Sequence, residues 1–468
     1  MKHIGKYFKT VCLIAICAAL LISSFGCKSK ERQTGDLADG YVPEPSGTVT
    51  LSVPSNVYTS EYNRQTIRNW ISAFKEKYPN VTVKEDFSDR AQYATRISAK
   101  DIGDVFWFDD TEVYDYAVSS QALMALDSYA KAYEIELNDV YSGFLELGRV
   151  DGQLFMIATN CGQQTFTYNK DMLSAANLEM PEDDWTWDEF KTYVERLTMT
   201  AEDGTITQVG AAMDVFNSPL YVPFLVGYGG QWCDTVNKDI NLTSDAVIQG
   251  FGELISQLEL MNIYPISGSA GSIFTYADMG TSSYATAYAN IQGNIQANAA
   301  FMQLDSFANL ATRASAYENL KVDWDVVAFP LFDSPASPCG SFGYGVFSYT
   351  ENPDAAAALC LSIYTKEGQK AINTGAGGAV PLLSSLAGDT FWHMTGEGYE
   401  DKNYGAFVAN TSSYIPSQVK CEVPSAVASI ITEGMLQLFK DFYQGGTSWQ
   451  DSLAAIEEQA DQKWSTLA

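Results

Sequence analysis

The chain has few basic residues and almost no histidine. Its 468 residues include 28 lysines and arginines against 57 aspartates and glutamates, which gives a formal net charge of −29. Binding to nucleic acid through phosphates, or to an anionic membrane surface, needs a basic surplus, so this charge argues against both. The only histidines are His3 and His393. His3 lies in the N-terminal segment that is interpreted below as a signal peptide. A Ser-His-Asp triad would therefore have to use His393, and no GxSxG motif lies near a predicted strand end.

Cysteine is also sparse, and its spacing fits no metal or redox motif. The chain has eight cysteines and no CxxC pair, so zinc sites and thioredoxin-type sites are unsupported. We predict neither a metal site nor a cofactor. Five cysteines follow the N-terminal region, an odd number that leaves one or two disulfides open beside buried free thiols. These five are Cys161, Cys233, Cys339, Cys360 and Cys421.

The N-terminus carries a lysine-rich start and one apolar run. Val11 to Ile22 is too short to span a bilayer comfortably and is typical of an export signal. Small residues then precede Cys27 and resemble a bacterial lipoprotein lipobox, with Ser24 where leucine is usual. This resemblance implies a signal peptide over residues 1–26, a lipidated Cys27 and a flexible tether over residues 27–46. An ordinary signal peptide followed by a stray cysteine is the alternative.

The next part of the chain alternates between strand and helix patterns. This alternation predicts a doubly wound α/β lobe, in which ligands lie beyond the carboxyl ends of the strands. Trp107, Asp109 and Asp110 occupy such an end and are therefore candidate ligand contacts. The predicted elements are strands at Thr48–Pro54, Val81–Val83 and Asp104–Asp110, and helices at Glu61–Tyr78 and Arg90–Ala99.

The paired carboxylates Asp109 and Asp110 admit several roles. They could act as a catalytic acid and base, as metal ligands, or as acceptors for ligand hydroxyls. Aspartate is also a common N-cap, and a helix is predicted over residues 111–119. We expect one aspartate to cap this helix and the other to face a ligand.

Amides interrupt an extended apolar stretch between Asp151 and Leu173. Asn160, Gly162 and Gln163 stand where a strand pair would keep packing side chains. Buried amides cost free energy unless they find hydrogen-bond partners. The stretch is therefore either a polar turn or β-bulge, or a crossing between two lobes with amides facing a ligand cleft.

Several later elements have local signatures. Thr186 and Glu189 form a capping box that predicts a helix running to Leu197. Trp232 ends a glycine-rich turn that could line a cleft but lacks the lysine of a phosphate loop. A strand and a helix N-cap are expected over residues 241–246, with a helix behind them over Val247–Leu260, whereas residues 268–298 show no clear period.

The order of these elements resembles the bacterial extracellular solute-binding proteins of ABC importers, the carbohydrate-binding group that includes maltose-binding protein. Asp151-Gly-Gln followed by Tyr168-Asn-Lys-Asp resembles the family's crossing segment. Trp185 to Phe190 resembles its TWDEF helix start, and Gly229-Gly-Gln-Trp232 its glycine-rich loop. Trp324 to Pro330, Gly343-Tyr-Gly345, Asn352-Pro353, Lys366-Glu-Gly-Gln369 and Pro381 then follow in the family's order.

The resemblance implies two doubly wound α/β lobes joined by a three-crossing hinge, the type II periplasmic-binding-protein fold. Residues 47–158 and 344–378 would form the first lobe, and residues 162–342 and 380–468 the second. The crossings would lie near 158–162, 342–345 and 378–381, and the lobes would close on ligand by hinge motion.

By the same resemblance the cleft holds a mono- or oligosaccharide, which an ABC-type permease then imports. The protein would be a monomer on the extracellular face of the membrane. Carboxylates and amides bind sugar hydroxyls, and aromatic rings stack on the apolar face of a sugar. The ligand-contact candidates are Trp107, Asp109, Asp110, Asn160, Gly162, Gln163, Trp232 and Tyr344.

Three other functions compete with this prediction. A two-carboxylate glycosidase is compatible with the many acidic residues. A lipoprotein that binds a peptide, a polyamine or a metal would also use Asp109, Asp110 and aromatic side chains. A surface adhesin would not need hinge glycines.

Overall fold

The computed structural model covers residues 1–468. It describes residues 31–467 except 217, 267–278, 281, 292, 305, 375–378 and 447. The predicted signal peptide and Cys27 lie outside the described residues, as does much of the unpatterned 268–298 segment. No helix in the described part of the chain is both long and apolar enough to cross a membrane.

Eighteen strands are described, and they are numbered in chain order. They are β1 Gly47–Pro54, β2 Val81–Ser88, β3 Val105–Asp109, β4 Arg149–Val150, β5 Gln153–Leu154, β6 Ile157–Ala158, β7 Gly162–Gln163, β8 Thr165–Asn169, β9 Met199–Thr200, β10 Ile206–Met213, β11 Cys233–Asp234, β12 Asp239–Ile240, β13 Ile263–Pro265, β14 Ala299–Leu304, β15 Trp324–Ala328, β16 Ser337–Gly340, β17 Phe342–Val346 and β18 Tyr414–Pro416.

The described α-helices fall on both sides of the crossing strands. They are Glu61–Lys77, Tyr93–Ser98, Asp127–Ala132, Ser142–Glu146, Lys170–Ala175, Trp187–Leu197, Ser218–Val226, Asp245–Glu259, Ser283–Tyr288, Ile295–Asn298, Leu310–Leu320, Pro353–Leu361, Lys366–Asn373, Ser425–Gln444 and Trp449–Ser465.

The first lobe is built on a five-stranded sheet in the order β2-β1-β3-β17-β6. Strands β2, β1 and β3 are parallel, and β17 runs antiparallel to β3 and β6. The predicted strand at Thr48–Pro54 and the predicted helix at Glu61–Tyr78 are confirmed within a residue. The strand at Val81 is longer than predicted, because it pairs with β1 over its whole length.

The second lobe is built on a sheet in the order β13-β10-β14-β8-β15, with β9 paired to β10. The predicted capping box at Thr186 and Glu189 is confirmed: each backbone N–H is bonded by the other residue's side chain. The strand expected over residues 241–246 is wrong, because β12 ends at Ile240. The N-cap expected there is confirmed at Ser244, behind which helix Asp245–Glu259 begins.

A small three-stranded sheet connects the two lobes. In it, β16 lies between β7 and β18, antiparallel to β7 and parallel to β18. The three connecting strands of this sheet are therefore β7, β16 and β18, and β16 leads directly into β17 of the first lobe's sheet. The crossings expected near 342–345 and 378–381 stay predictions, and residue 378 lies outside the described residues.

Residues 382–413 form an irregular bridging segment between the second and third connecting strands. Its start belongs to the first lobe, where Leu382 O accepts from Tyr141 N at 3.1 Å. Further along, Asn403 N donates to Asp325 Oδ1 at 2.8 Å, and Lys402 Nζ donates to Trp324 O at 2.9 Å, both beside β15. The bridging segment therefore contacts both lobes on one side of the crossings.

Each sheet has its own apolar core, but the first core continues through the bridging segment. Trp392 and Phe407, from that segment, pack with Phe307 and belong to the first core. Tyr317, on a helix of the second lobe, belongs to the same cluster. The lobes thus share buried apolar surface beside the crossings, which holds them together there.

Residues 33–45 lie against the first lobe, although a flexible tether was expected over 27–46. Gln33 N donates to Ser348 O, and Ala125 N donates to Thr34 O at 3.1 Å. Gly35 has φ +94°, and a Cβ there would lie 1.9 Å from Ala125 O, so only glycine fits. This docked segment, residues 33–45, is called the strap below.

A single carboxylate holds the C-terminal half of the strap. Asp354 Oδ2 accepts from Tyr41 Oη at 2.8 Å and from Glu44 N at 2.9 Å. The other oxygen, Oδ1, accepts from Tyr129 Oη at 3.0 Å. Asp354 therefore ties the strap to the body of the first lobe.

We predict that Asp354→Ala loosens the strap. It removes three accepted hydrogen bonds, each worth about 1 kcal/mol, so the melting temperature should fall by several degrees. Limited proteolysis should then cut within residues 31–46 faster than in the wild type. Asp389→Ala is the control, because it breaks only the exposed ion pair with Lys370. Equal cleavage in both variants would contradict the docked strap.

Candidate ligand-binding cleft

A cavity of about 1330 Å³ lies between the lobes and against the crossing strands. Residues with amide, hydroxyl or charged side chains make up most of the residues that line it. The polar side chains of the wall are Tyr58, Asn63, Thr66, Asp109, Asp110, Thr159, Asn160, Gln164, Asp214, Gln296, Gln303, Ser306, Asn309, Thr312, Arg313, Ser341, Asn373, Ser417, Gln418, Lys420 and Thr432. This size exceeds the usual range for small-molecule pockets, about 300–1,000 Å³.

Parallel strands of both sheets end at the cavity. Tyr58 follows β1 and Asp110 follows β3, while Asp214 follows β10 and Ile266 follows β13. In α/β sheets the carboxyl ends of parallel strands are where ligands bind. The fold therefore brings the ends of two sheets to face one another across one cavity.

The two adjacent aspartates have different surroundings. Asp109 forms the capping box at the start of the 3-10 turn Asp110–Glu112, and its Oδ2 lies 2.9 Å from Arg90 Nη2. Asp110 is almost fully buried, and its Oδ2 accepts from Ser341 N at 2.8 Å. Burial raises the pKa of Asp110 to about 7, and the neighbouring Asp109 charge adds to the shift.

Asp110 and Ser341 also bond through their backbones, with Asp110 N donating to Ser341 O at 3.2 Å. Ser341 follows β16, so this reciprocal pair ties the end of β3 to the second crossing. One of the two aspartates was expected to cap the following helix, and Asp109 has this role. Asp110 lines the cavity while it holds the crossing.

The first two crossings pair side by side at the cavity floor. Thr159 N donates to Phe342 O at 3.1 Å, and Ser341 Oγ donates to Asn160 O at 2.9 Å. A Cβ at Gly162 would lie 2.4 Å from Gly340 O, so the close approach of β7 and β16 requires glycine. Asn160 and Gly162 both line the cavity.

Trp107 lies one layer behind the wall. Its side chain is 3% exposed, and its ring centroid is 5.4 Å from that of Phe342, which does line the cavity. The Arg90 guanidinium lies 4.9 Å from the Trp107 ring centroid. Trp107 therefore supports Phe342, and Phe342 is the half-buried aromatic that the cavity presents.

Three other sequence candidates lie outside the wall. Gln163 Nε2 donates to Phe407 O, so this amide ties the first crossing to the bridging segment. Trp232 is buried in the second lobe, where its Nε1 donates to Glu422 Oε2 at 3.0 Å. Tyr344 is fully buried in the first core against Trp70.

The cleft wall also contains a chain of hydrogen bonds through two buried glutamine side chains, Gln303 and Gln164. Asp214 N donates to Gln303 Oε1 at 2.9 Å, and Gln303 Nε2 donates to Gln164 Oε1 at 2.6 Å. These bonds join β10, β14 and the first crossing. Arg313 stands beside them, with Nη2 donating to Gln303 O at 3.2 Å. Adjacent glutamines at 163 and 164 were the only sequence signal.

His393, the remaining histidine for a catalytic triad, is engaged elsewhere. Its ring stacks on Tyr404, with centroids 4.0 Å apart and planes 9° apart, in the bridging segment. It does not line the cavity. Desolvation lowers the pKa of His393, which favours its neutral form.

A sequence profile for bacterial extracellular solute-binding proteins matches residues 59–370 of the chain. This match covers well over half of the 468 residues. The chain belongs to the bacterial extracellular solute-binding protein family. Members of this family are solute-binding proteins, and the predicted family resemblance is confirmed.

Solved structures similar to this solute-binding protein share its fold at low identity. The sugar-binding protein MalE from Xanthomonas citri is 14% identical with a TM-score of 0.68, over 90% of this chain and 98% of that chain. MalE from Listeria monocytogenes, solved with maltose, is 18% identical with a TM-score of 0.64, over 90% and 98%. A Listeria monocytogenes ABC substrate-binding protein, solved with cycloalternan, is 16% identical with a TM-score of 0.60, over 90% and 99%. The predicted two-lobed type II fold is confirmed.

We predict that Asp110→Asn changes how the stability of this solute-binding protein depends on pH. The folded pKa of Asp110, about 7, lies above its unfolded value near 3.9, so the folded state holds the proton longer. The contribution of Asp110 to wild-type stability should therefore fall as the pH rises from about 4 to 7. Asparagine keeps an acceptor for Ser341 N but cannot ionise.

Thermal melts at pH 4.5, 6 and 8 check this prediction. The melting temperature of Asp110→Asn relative to wild type should increase steadily across the series. Asp234→Asn is the control, because hydrogen bonds from Asn237 and Val236 lower the pKa of this half-buried aspartate, so it stays ionised throughout. A constant difference between Asp110→Asn and wild type would contradict a raised pKa at Asp110.

Proposed function

We propose that this chain binds a mono- or oligosaccharide in the interlobe cavity and delivers it to an ABC-type importer. The observation that carries the proposal is the cavity wall, in which two α/β sheets present strand ends rich in amides and carboxylates. Family membership supports solute capture outside the cytoplasm. The similar structures, solved with maltose and with cycloalternan, support carbohydrate as the solute class.

The lining chemistry suits a polyhydroxylated ligand. A sugar offers many hydroxyls, each of which donates and accepts, and amides such as Asn160 and Gln418 can do both in return. Phe342 supplies an apolar surface for a sugar ring. The volume of about 1330 Å³ favours an oligosaccharide over a single sugar.

We propose Asp109, Asp110, Asn160 and Gly162 as the part of the predicted set nearest the ligand, because all four line the cavity. Trp107 would act through Phe342. Gln163, Trp232 and Tyr344 would support the crossing and the cores, since none of them lines the cavity.

The division into lobes is also a proposal. We assign residues 47–158 and 344–378 to the first lobe, as predicted, and place the three hinge strands at β7, β16 and β18. The bridging segment, which contacts both lobes, would then belong to the hinge and not to the second lobe, to which the predicted range 380–468 assigns it.

We further propose that the chain is exported, lipidated at Cys27 and held as a monomer on the extracellular face of the membrane. The lysine-rich start, the apolar run Val11–Ile22 and the small residues before Cys27 support this anchor. The permease partner follows from the family.

We propose no catalytic activity for the cavity. Asp109 is committed to a helix cap and to Arg90, and Asp110 to Ser341. Two carboxylates held in this way are poorly placed to exchange protons with a glycosidic bond. Turnover of chromogenic glycosides by the purified protein would contradict this proposal.

We predict binding of maltose or maltotetraose with micromolar or lower Kd by titration calorimetry. Phe342→Ala should weaken this binding about five- to tenfold, because a stacking surface is lost. Phe391→Ala is the control, since Phe391 is also half-buried but lies outside the cavity. Spermidine and a tripeptide complete the panel. Preferential binding of either would replace the carbohydrate proposal with one of its alternatives.

We also predict that the bound sugar makes the protein more compact. Closure of two lobes around a ligand reduces the radius of gyration in small-angle scattering. An adhesin without a hinge would scatter identically with and without sugar. The same profile in both conditions, at saturating ligand, would therefore contradict a closing cleft.

A further inference from the structure

Two buried amides on helix Lys366–Asn373 face the first crossing. Gln369 and Asn373 are four residues apart, so they lie on the same side of the helix. Gln369 is fully buried, and Asn373 is 4% exposed. Both contact the backbone of Thr159, more than 200 positions earlier in the chain.

Backbone partners fix the orientation of the Gln369 amide. Leu382 N can only donate, and it does so to Gln369 Oε1 at 2.8 Å. Thr159 O can only accept, and Gln369 Nε2 donates to it at 3.2 Å. A flipped amide would set donor against donor and acceptor against acceptor.

The same logic fixes Asn373. Its Nδ2 donates to Thr159 O at 3.2 Å and to Gln369 Oε1 at 3.1 Å, so both amide hydrogens are used. Its Oδ1 is therefore the remaining polar group. No described residue donates to Asn373 Oδ1, and the residue lines the cavity beside Thr159 and Val380.

We propose that Asn373 Oδ1 accepts a hydrogen bond from a hydroxyl of the bound sugar, and that Gln369 is a positioning residue for it. This inference rests on the proposed function. A carbonyl oxygen in this place needs a donor, which a hydroxyl supplies and an ether oxygen does not. Asn373 thus selects for a free hydroxyl at one position of the ligand.

The proposal also connects ligand contact to the hinge. Asn373 donates to Thr159 O, and Thr159 N donates to Phe342 O on the second crossing. A sugar hydroxyl bound to Asn373 is therefore two hydrogen bonds away from the paired crossings. A sugar bound to Asn373 would therefore stabilise the pairing of Thr159 on the first crossing with Phe342 on the second.

A cycle of protein and ligand changes tests the assignment. Calorimetry compares wild type and Asn373→Ala with maltose, maltotetraose and maltose derivatives that each lack one hydroxyl. We expect Asn373→Ala to weaken parent-sugar binding about tenfold, the range of one neutral hydrogen bond. One deoxy derivative should bind the wild type about tenfold more weakly than the parent sugar does. For that derivative, Asn373→Ala should reduce the affinity no further.

Two variants separate ligand contact from structural damage. Asn169→Ala removes the N-cap of helix Lys170–Ala175, outside the cavity, and should lower the melting temperature without changing affinity. Gln369→Leu removes the acceptor that orients the Asn373 amide. The non-additivity between Asn373→Ala and removal of that hydroxyl should therefore become smaller in the Gln369→Leu background. A purely structural role of Gln369 would leave this non-additivity unchanged.

The outcomes are distinct for the two proposals. Sugar binding that is equal in wild type and Asn373→Ala, or a loss that is additive for every deoxy derivative, overturns the role of Asn373 and leaves the proposed function standing. Failure of every sugar to bind the wild-type protein overturns the proposed function, and this inference with it.

Discussion

The pairing of the first two crossings is the constraint on which the rest of this structure depends. Thr159 and Asn160 bond to Phe342 and Ser341 at the floor of the cleft. Because Ser341 is also bonded to Asp110, the strand ends of the first lobe are fixed to the same point. The glycine at 162 permits this close approach. Every side chain that lines the cavity is positioned relative to this pair of strands.

The burial of the Asp110 carboxyl at the floor of the cleft costs free energy, because the charged form loses its contact with water. Asp110 is a carboxyl removed from water, with one backbone N–H as its main support and a second carboxylate beside it. An apolar residue would avoid the cost but would leave Ser341 N without an acceptor. Strain or cost of this kind is common where a site must hold polar groups away from water. The hinge thus gives up some stability to keep a polar cleft.

The sequence predicted well what local chemistry determines. The buried run before Asp109 predicted strand β3, the capping box at Thr186 predicted a helix start, and the amides near Asn160 marked a segment that lines the cavity. It could not place what depends on distant contacts. Asn373 acts through Thr159, 214 positions away, and β18 has only three residues and no period. Trp232 and Tyr344 stand on glycine-flanked segments like cleft residues, but tertiary packing turns both rings inward.

The bridging segment holds the two lobes together along one edge of the cleft. Since Trp392 and Phe407 join buried surface of both lobes, separation on that side would expose apolar area to water. If the lobes close on a sugar as proposed, the motion would be a rotation about an axis near this segment, and displacement would grow with distance from it. Dye pairs placed beside the bridging segment would change their separation little. A fluorescent sensor made from this protein would obtain its signal from labels on the opposite rim of the cleft.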